Sequence, residues 1–265
     1  MKKRAVGSGL LYGVNPLLEA LRAGDRAPAE ILVAESARDE RLRELIELAR
    51  SRNISVKRVP RAVLDRAVGS THHQGVMARV TAARYVDAEE LLSSIASHVG
   101  RETEPLLLVL DGIEDPRNLG AILRTAECAG VEGVFIPERR AVGLNETVAK
   151  ASAGAVEYVP VARVTNLSRL IEQLKERNVW VVGTVAEAAL NYADWDWTRP
   201  SAVVLGGEGS GLHRLVRENC DVLVTIPVRG KIQSLNVSVA AGIIFYEVLR
   251  QRARANAKIA LPTKL

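Results

Sequence analysis

The chain has 265 residues, of which 48% are hydrophobic and 25% are charged, so it is long enough for two domains with apolar cores. No apolar run is long enough to span a membrane, and no apolar stretch follows the basic residues Met1 to Arg4, which argues against a transmembrane helix and a signal peptide. Cys128 and Cys220 are isolated, which predicts core thiols in a reducing, cytoplasmic setting. The histidines lack metal-ligand spacing, so no metal site is expected.

The positive charge is concentrated in the N-terminal third of the chain. Residues 1–80 hold 15 Lys and Arg against 9 Asp and Glu, whereas residues 81–265 hold 21 against 22. The net charges are therefore +6 and −1. A basic module beside a near-neutral one predicts a polyanion-binding part joined to a part that carries out chemistry. An ordinary solvated basic face is the alternative.

Short helical and strand-like patterns alternate in the first 80 residues and predict a small α/β domain over residues 1–80. The predicted helices are Val14 to Leu21, Asp39 to Arg52 and Ala62 to Ala67, and the predicted strands are Ile31 to Ala34, Val56 to Val59 and Val76 to Val80. Residues 81–104 are predicted to be a linker with one short helix, Ala88 to Ala96, and a charged, turn-rich end.

Residues 105–265 are predicted to form a second domain in which strands and helices alternate regularly. The predicted strands are Leu106 to Leu110, Val134 to Ile136, Val179 to Gly183, Ala202 to Gly206 and Val222 to Ile226, and the predicted helices are 118–129, 145–153, 166–177, 211–217 and 234–250. Continuous apolar strands between helices predict a parallel sheet that is covered on both faces.

The first segment of chemical interest is DPRNLGAILRTAECAGV, residues 115–131. Asp115-Pro116 is a turn signal, and Asn118 is a candidate N-cap for the helix that follows. Arg124 lies inside this otherwise apolar helix. A guanidinium without a partner would be costly there if it were buried, so a specific role is expected for it.

The second segment is VVLGGEGSGL, residues 203–212, a buried-strand pattern that runs into four glycines around Glu208. Glycines allow a backbone to approach a ligand closely. The spacing is not that of a dinucleotide-binding loop, and no P-loop sequence is present. Residues 207–211 match the G-x-G-x-G of many Rossmann-type methyltransferases, but there the glycines follow the first strand, and here they follow the fourth predicted strand.

The third segment runs from the strand Val222 to Ile226, through Pro227 and a loop with Arg229 and Lys231, to Ser234-Leu235-Asn236. The helix predicted after it is apolar on almost every side, which is typical of a buried helix. Polar residues at its start either cap free backbone N–H groups or present polar atoms to a ligand. Both interpretations stay open at this point.

Taken together, the three segments resemble the motifs of the SpoU-type (TrmH-like) RNA ribose 2′-O-methyltransferases of the SPOUT superfamily, in the same order and spacing. The matching residues are Asn118-Leu119-Gly120 with Arg124, then Gly207 to Leu212, then Ile226-Pro227 with Ser234 to Ser238. Within the family, the chain is most similar to bacterial enzymes that methylate a guanosine of 23S rRNA. One departure is Val228, where the family commonly has Met.

The resemblance implies an α/β protein with two domains. The first would be an L30e-like RNA substrate-binding domain, whose pattern Tyr12-Gly13 and His73 to Val76 fit. The second would be a SPOUT domain, in which a mostly parallel sheet covered by helices contains a trefoil knot. The resemblance also implies S-adenosyl-L-methionine as the cofactor, ribosomal RNA as a partner and assembly as a homodimer, without a membrane or a metal.

The family's functional residues carry over onto matching positions. The implied cofactor-binding residues are Gly206, Gly207, Gly209, Gly211, Ile226, Pro227, Leu235 and Asn236. The implied catalytic residues are Arg124, Asn118, Glu208, Ser234 and Asn236. Arg124 is either the base that removes the proton of the ribose 2′-hydroxyl or a cation that holds a flanking phosphate and the forming alkoxide.

The predicted function is therefore S-adenosylmethionine-dependent 2′-O-methylation of a ribose, that of a guanosine in 23S rRNA. A tRNA ribose methyltransferase, an enzyme that modifies adenosine in the same rRNA and a non-catalytic RNA-binding protein are the alternatives. The N-terminal module favours rRNA, because the tRNA relatives usually lack it. The set of Asn118, Arg124, Glu208 and Asn236 argues against a non-catalytic role.

Overall fold

The computed structural model describes residues 8–24, 26–38, 40–81, 83–101 and 104–260. The strands are β1 (Ser8–Tyr12), β2 (Glu30–Ala34), β3 (Ser55–Val59), β4 (Val76–Thr81), β5 (Leu106–Asp111), β6 (Gly133–Pro137), β7 (Val161–Val164), β8 (Trp180–Thr184), β9 (Leu190–Asn191), β10 (Ser201–Gly206) and β11 (Val222–Thr225). The helices are α1 (Val14–Ala23), α2 (Glu40–Ser51), α3 (Arg61–Val68), α4 (Ala88–Ala96), α5 (Pro116–Cys128), α6 (Glu146–Ala151), α7 (Leu167–Glu176), α8 (Arg214–Asn219) and α9 (Val237–Ala260), with a 3₁₀ turn at Ala155–Glu157.

The chain separates into two compact units. The first consists of Met1–Arg84, Leu119–Arg124 and Gly143–Tyr158, and the second consists of Tyr85–Asn118, Thr125–Val142 and Val159–Leu265. The boundaries predicted near residues 80 and 104 divide the chain into continuous domains, whereas each compact unit combines three separate segments of the chain. The boundaries therefore stay a prediction.

The first unit contains a four-stranded mixed sheet with the order β1-β4-β2-β3. Strand β4 is antiparallel to β1 and β2, and β2 is parallel to β3. Helices α1 and α2 bury Leu17, Leu21 and Leu45 completely. Strand β1 was not predicted, because its pattern is short and contains Gly9, and it forms by pairing with β4 along its whole length.

Residues distant in sequence also belong to the first unit. The Leu10 backbone N–H donates to Oε1 of Glu146 at 2.5 Å. Arg26 and Glu157 form a buried ion pair at 2.5 Å. A Cβ on Gly120 would lie 2.4 Å from Cβ of Ala151, so a glycine is needed where α5 passes α6. The unit is thus built from three stretches of chain.

The second unit contains a seven-stranded sheet with the order β7-β6-β5-β10-β8-β11-β9, in which all neighbouring strands are parallel. Every residue of β5 is buried, as the continuous apolar pattern predicts. The predicted α/β class with a parallel, helix-covered sheet is confirmed. Strands β7 and β9 were not predicted, because β7 carries Arg163 and β9 has only two residues. The trefoil knot stays a prediction.

Several helix starts differ from the prediction by one to three residues, and caps explain two of these differences. Helix α5 starts at Pro116, and Asp115 caps it by accepting the Arg117 N–H at 2.7 Å, so the N-cap assignment of Asn118 is wrong. The physical reason is that proline suits the first helical position and an acid suits the position before it. The last helix starts at Val237, because Oδ1 of Asn236 accepts the Ser238 N–H at 2.9 Å.

Helix α9 continues beyond residue 250 to Ala260. Arg252 donates to the carbonyls of Glu104 at 2.5 Å and Trp197 at 3.1 Å, which ties this helix to the start of β5. Burial lowers the pKa of Arg252. Cys220 is half-buried, whereas Cys128 is exposed, so the prediction of a core thiol is wrong for Cys128. Across the ranges that the structure describes, no helix has both the length and the apolar character needed to cross a membrane.

Candidate active site

The candidate site lies at the carboxyl edge of the parallel sheet. Strands β5, β8, β10 and β11 all end at this edge, because they run in the same direction. Open parallel sheets bind ligands at the carboxyl ends of their strands. The three motif segments follow β5, β10 and β11, so the sheet gathers them at one place.

One residue from each motif joins a hydrogen-bonded trio. Asn118 Nδ2 donates to Glu208 Oε1 at 2.6 Å, and Asn236 Nδ2 donates to the same oxygen at 2.9 Å. Asn236 Nδ2 also lies 3.1 Å from Asn118 Oδ1, which accepts its proton. Asn118 is buried, whereas Glu208 and Asn236 are exposed. The trio orients both amides and leaves Glu208 Oε2 without a partner among the described residues.

The glycine loop after β10 folds back on itself. The Gly211 N–H donates to the Gly207 carbonyl at 3.0 Å. A Cβ on Gly206 would lie 2.1 Å from the Gly211 carbonyl carbon, and one on Gly207 would lie 2.4 Å from the Gly112 carbonyl oxygen. These two glycines are therefore needed by the protein's own backbone. Gly209 and Gly211 have φ of +83° and +63°, with no atom within 4 Å of an added Cβ.

A first cavity of about 700 Å³ lies beside this loop. It is lined by Thr184, Val185, Ala186, Glu187, Leu205, Gly206, Gly207, Glu208, Gly209, Ser210, Gly211, Leu212, Arg217, Ile226, Val228, Gln233, Ser234, Leu235, Asn236, Val237 and Ala240. The predicted cofactor residues are all among them except Pro227. The segment after β8 was missed, although Thr184 ends a strand of the predicted sheet and so belongs to its ligand-binding edge.

The residues of the first cavity fit the implied cofactor. Its volume lies within the range of small-molecule sites, roughly 300–1,000 Å³. Leu205, Ile226 and Val237 supply apolar wall. The Thr184 hydroxyl is buried and has no hydrogen-bond partner among the described residues. A buried polar atom beside apolar wall residues suits a nucleoside-like ligand that needs an apolar slot and a few hydrogen bonds.

Arg124 stands apart from the trio. Its side chain is exposed, and no hydrogen bond or ion pair links it to another described residue. On helix α5 it is displaced from Asn118 by about 9 Å along the axis and about 120° around it. It lines neither cavity. Because the guanidinium of Arg124 is exposed, it does not incur the free-energy cost of a buried charge without a partner.

A second cavity of about 380 Å³ shares Glu208 with the first. It is lined by Gly112, Ile113, Glu114, Asp115, Asn118, Arg140, Glu208, Ser210, His213 and Val237. Asp111, which is buried, accepts the backbone N–H of His213 at 2.7 Å and contacts Nδ1 of its ring at 2.8 Å. Asn118 and Glu208 come from the motif segments, whereas Glu114, Arg140 and His213 belong to no motif. Within the described residues, no group of three or more metal-binding side chains is found.

Comparisons with known proteins agree with this geometry. The protein-family model described as "SpoU rRNA Methylase family" matches residues 105–246. The family model described as "RNA 2′-O ribose methyltransferase substrate binding" matches residues 10–86. YacO of Bacillus subtilis (strain 168), named for the TrmH family of tRNA/rRNA methyltransferases, is 47% identical over 242 residues, which cover 91% of this chain and 95% of YacO.

Two further relatives extend the comparison. The 23S rRNA (guanosine-2′-O-)-methyltransferase RlmB of Shewanella oneidensis is 42% identical over 255 residues, which cover 95% of this chain and 99% of RlmB. The crystal structure of the SpoU methyltransferase AviRb from Streptomyces viridochromogenes with AdoMet matches with a TM-score of 0.75 and 25% identity, covering 94% of this chain and 92% of AviRb.

Proposed function

The chain belongs to the SpoU rRNA methylase family and is an S-adenosylmethionine-dependent RNA methyltransferase, and we propose that it methylates the ribose 2′-oxygen of a guanosine in 23S rRNA. The observation that carries the proposal is the trio of Asn118, Glu208 and Asn236 between the two cavities. Similarity to RlmB over nearly the whole of both chains supports the finer choice of substrate. A tRNA ribose is the second candidate, because the name of YacO includes tRNA.

The first cavity holds the cofactor. S-adenosylmethionine supplies a methyl group on a positively charged sulfur. The glycine loop with Ile226 and Leu235 would surround the cofactor, and the Thr184 hydroxyl would gain the partner that it otherwise lacks. Most of the catalysis then comes from holding the ribose hydroxyl in line with that methyl.

The trio orients the ribose. Because both amides donate to Oε1 of Glu208, its Oε2 stays available to accept a hydrogen bond from a ribose hydroxyl. Ser234 lines the first cavity and offers a further hydroxyl. These groups fix the direction of the attacking oxygen.

Arg124 supplies positive charge. A guanidinium is a poor proton acceptor at neutral pH, whereas it holds a phosphate and a forming alkoxide well. Its side chain is exposed and has no partner among the described residues, so it is available to bind RNA. We therefore assign Arg124 to holding the flanking phosphate and the developing negative charge.

The N-terminal domain, residues 1–80, binds the RNA and is joined by the linker 81–104 to the methyltransferase domain, 105–265. Its excess of positive charge attracts phosphates. Arg43 and Arg50 are exposed and lie on one face of α2. Replacing both with Gln is expected to lower the dependence of RNA affinity on salt. Arg254→Gln, in α9, serves as a control. If RNA affinity depended equally on salt in the wild type, the double variant and the control, α2 would not be part of the RNA-binding surface.

The protein acts as a homodimer in the cytoplasm. Helix α9 leaves Val239 and Tyr246 exposed by 50% and 58%, one helical repeat apart, and the loop before it leaves Ile232 exposed by 77%. Exposed apolar side chains along one face of a helix are stabilised when a partner covers them. Light scattering at micromolar concentration is expected to give a dimer. Tyr246→Arg is expected to shift it towards a monomer, and a monomeric wild-type protein would refute dimerisation.

The test of substrate class uses transcripts of 23S rRNA and of tRNA with cofactor labelled in its methyl group. Label is expected in 23S rRNA, in a nucleotide that resists alkaline cleavage because its 2′-oxygen is blocked. Label in tRNA alone would favour the second candidate. Binding of labelled cofactor without transfer to any RNA would contradict both.

A further inference from the structure

The second cavity contains two opposite charges that do not pair with each other. Glu114 follows β5, and Arg140 follows β6, and both line the cavity. Both side chains are exposed, and neither forms an ion pair or a hydrogen bond with another residue in the described part of the chain. The cavity therefore offers a free carboxylate as acceptor and a free guanidinium as donor.

The backbone fixes where these two side chains start. The Val142 N–H donates to the Ile113 carbonyl at 2.8 Å, which joins the two loops. Arg140 has φ of +57°, which is uncommon for a residue other than glycine. A Cβ on Gly112, whose φ is +80°, would lie 3.9 Å from the Arg140 carbonyl oxygen. The carboxylate and the guanidinium are thus held on opposing loops.

A ligand that binds between them needs a donor edge and an acceptor edge. Guanine has both, because O6 and N7 accept hydrogen bonds on one side and the amino group on C2 donates on the other. Arginine pairs with O6 and N7 through two hydrogen bonds. A carboxylate accepts from N1–H and the amino group. Adenine has an acceptor at N1, which a carboxylate repels.

The position of the cavity suits a base. It shares Glu208, Ser210 and Val237 with the first cavity, so a ribose at Glu208 would have the cofactor on one side and its base on the other. His213 adds a polar group whose orientation Asp111 fixes. Proteins that recognise unstacked RNA bases bind such edges in pockets of this kind.

We propose that the second cavity takes the base of the target nucleotide and that Glu114 and Arg140 select guanine there, an inference that rests on the proposed transfer to a ribose. Glu114 accepts from N1–H and the amino group, and Arg140 donates to O6 and N7. Both are specificity-determining residues that contact the substrate, in addition to the trio that orients the ribose.

The test uses a short RNA that contains the nucleotide methylated in the 23S transcript, with guanosine, inosine or adenosine at that position. Inosine lacks only the amino group on C2. Wild-type kcat/KM is expected to be about 10–100-fold higher for guanosine than for inosine, because a hydrogen bond to a charged group is lost. Glu114→Gln is expected to reduce that ratio, because an uncharged amide oxygen accepts the hydrogen bond of the amino group more weakly than a carboxylate does. Arg140→Ala is expected to lower kcat/KM for guanosine and inosine but not for adenosine, whose 6-amino group offers Arg140 no acceptor.

Matched controls come from the same loop. Glu138 and Arg139 are exposed and line neither cavity, so Glu138→Gln and Arg139→Ala are expected to keep the wild-type ratio of guanosine to inosine. Cofactor affinity, measured by calorimetry, is expected to stay unchanged in all four variants. A loss of cofactor affinity in Glu114→Gln or Arg140→Ala would mean that the charges bind the amino-acid end of the cofactor, which would overturn the proposal.

Other outcomes separate this inference from the proposed function. Methyl transfer to a nucleotide other than guanosine, or an unchanged ratio in Glu114→Gln, would overturn base selection and leave ribose methylation intact. A wild-type protein that binds cofactor but methylates no RNA would overturn the proposed function, and base selection would be rejected with it.

Discussion

The two cavities differ in composition although they share the wall at Glu208. The first is lined by glycines and by apolar residues such as Leu205 and Ile226, with few charges. The second is smaller and is lined by charged and polar side chains, including Glu114, Arg140 and His213. A mostly apolar cavity favours a nucleoside whose polar edges form hydrogen bonds with backbone atoms. A cavity with charged side chains favours a ligand that is recognised by the hydrogen-bonding groups along its edges. This difference fits the proposed roles, which are cofactor binding in the first cavity and selection of the substrate base in the second.

This division predicts separable effects of substitution. Changes in the first cavity should alter cofactor affinity, changes in the second should alter the choice of base, and changes at the shared wall or at Arg124 should alter turnover.

The largest effect is expected at Arg124, which lies in neither cavity. Arg124→Ala is expected to lower kcat at least about 100-fold, because the charge that stabilises the alkoxide is removed, while cofactor affinity stays near normal. Arg124→Lys should not restore activity, because a point charge does not reproduce a planar fork. Single-turnover methyl transfer and calorimetry measure the two quantities.

Arg117 is the matched control for Arg124, since it is also exposed on α5. Arg117→Ala is expected to change kcat little. Near-normal turnover in Arg124→Lys would show that a positive charge at this position is sufficient. A loss of turnover in Arg117→Ala similar to that in Arg124→Ala would point to a general weakening of RNA binding.

The next effect is expected at the shared wall. Asn236→Asp keeps the oxygen that caps α9 but removes both Nδ2 donors and brings a second carboxylate to Glu208. We expect turnover to fall about 30-fold near neutral pH, because a hydrogen bond to a charged group is lost. Neighbouring carboxylates raise the pKa of one of them, so part of the activity should return as pH falls and one is protonated.

A pH profile and a melting curve test this expectation. The melting temperature of Asn236→Asp should stay near the wild-type value at acidic pH, whereas Asn236→Ala loses the cap and should be destabilised by about 1 kcal/mol at every pH. Identical pH profiles for Asn236→Asp and the wild type would show that the trio does not set turnover.

The smallest effect is expected in the first cavity. Gly209→Val in the full-length protein is expected to weaken cofactor binding about fivefold or more, because φ of +83° is strained for a residue with a Cβ. Gly69 has a similar φ of +68° and open surroundings, and it lies in the other unit. Gly69→Val should therefore lower the free energy of unfolding by a similar amount without changing cofactor affinity. Equal cofactor affinities for the two variants would show that Gly209 is not part of the cofactor site.

The sequence predicted the first cavity far better than the second. Gly206 to Gly211 and Ser234 to Asn236 stand in recognisable motifs at the ends of apolar strands, so both the sheet edge and its loops could be anticipated. Glu114 and Arg140 belong to no motif. They reach one cavity only because β5 and β6 are neighbours and a backbone hydrogen bond joins their loops.

The same contrast holds for the fold. Apolar strands such as β5 were predictable, because burial on both faces gives a continuous pattern. Strand β1 depends on pairing with β4, and the two-residue strand β9 depends on pairing with β11. Tertiary contacts set these features, and local patterns do not contain them.

The most direct test of the account is a map of ribose methylation in the rRNA of cells that have the gene, that lack it, or that carry Arg124→Ala in its place. We predict one 2′-O-methylguanosine in 23S rRNA that is present with the wild-type gene and absent from the other two. Identical maps in all three strains, or a lost methyl group that lies on a base or outside 23S rRNA, would contradict the account.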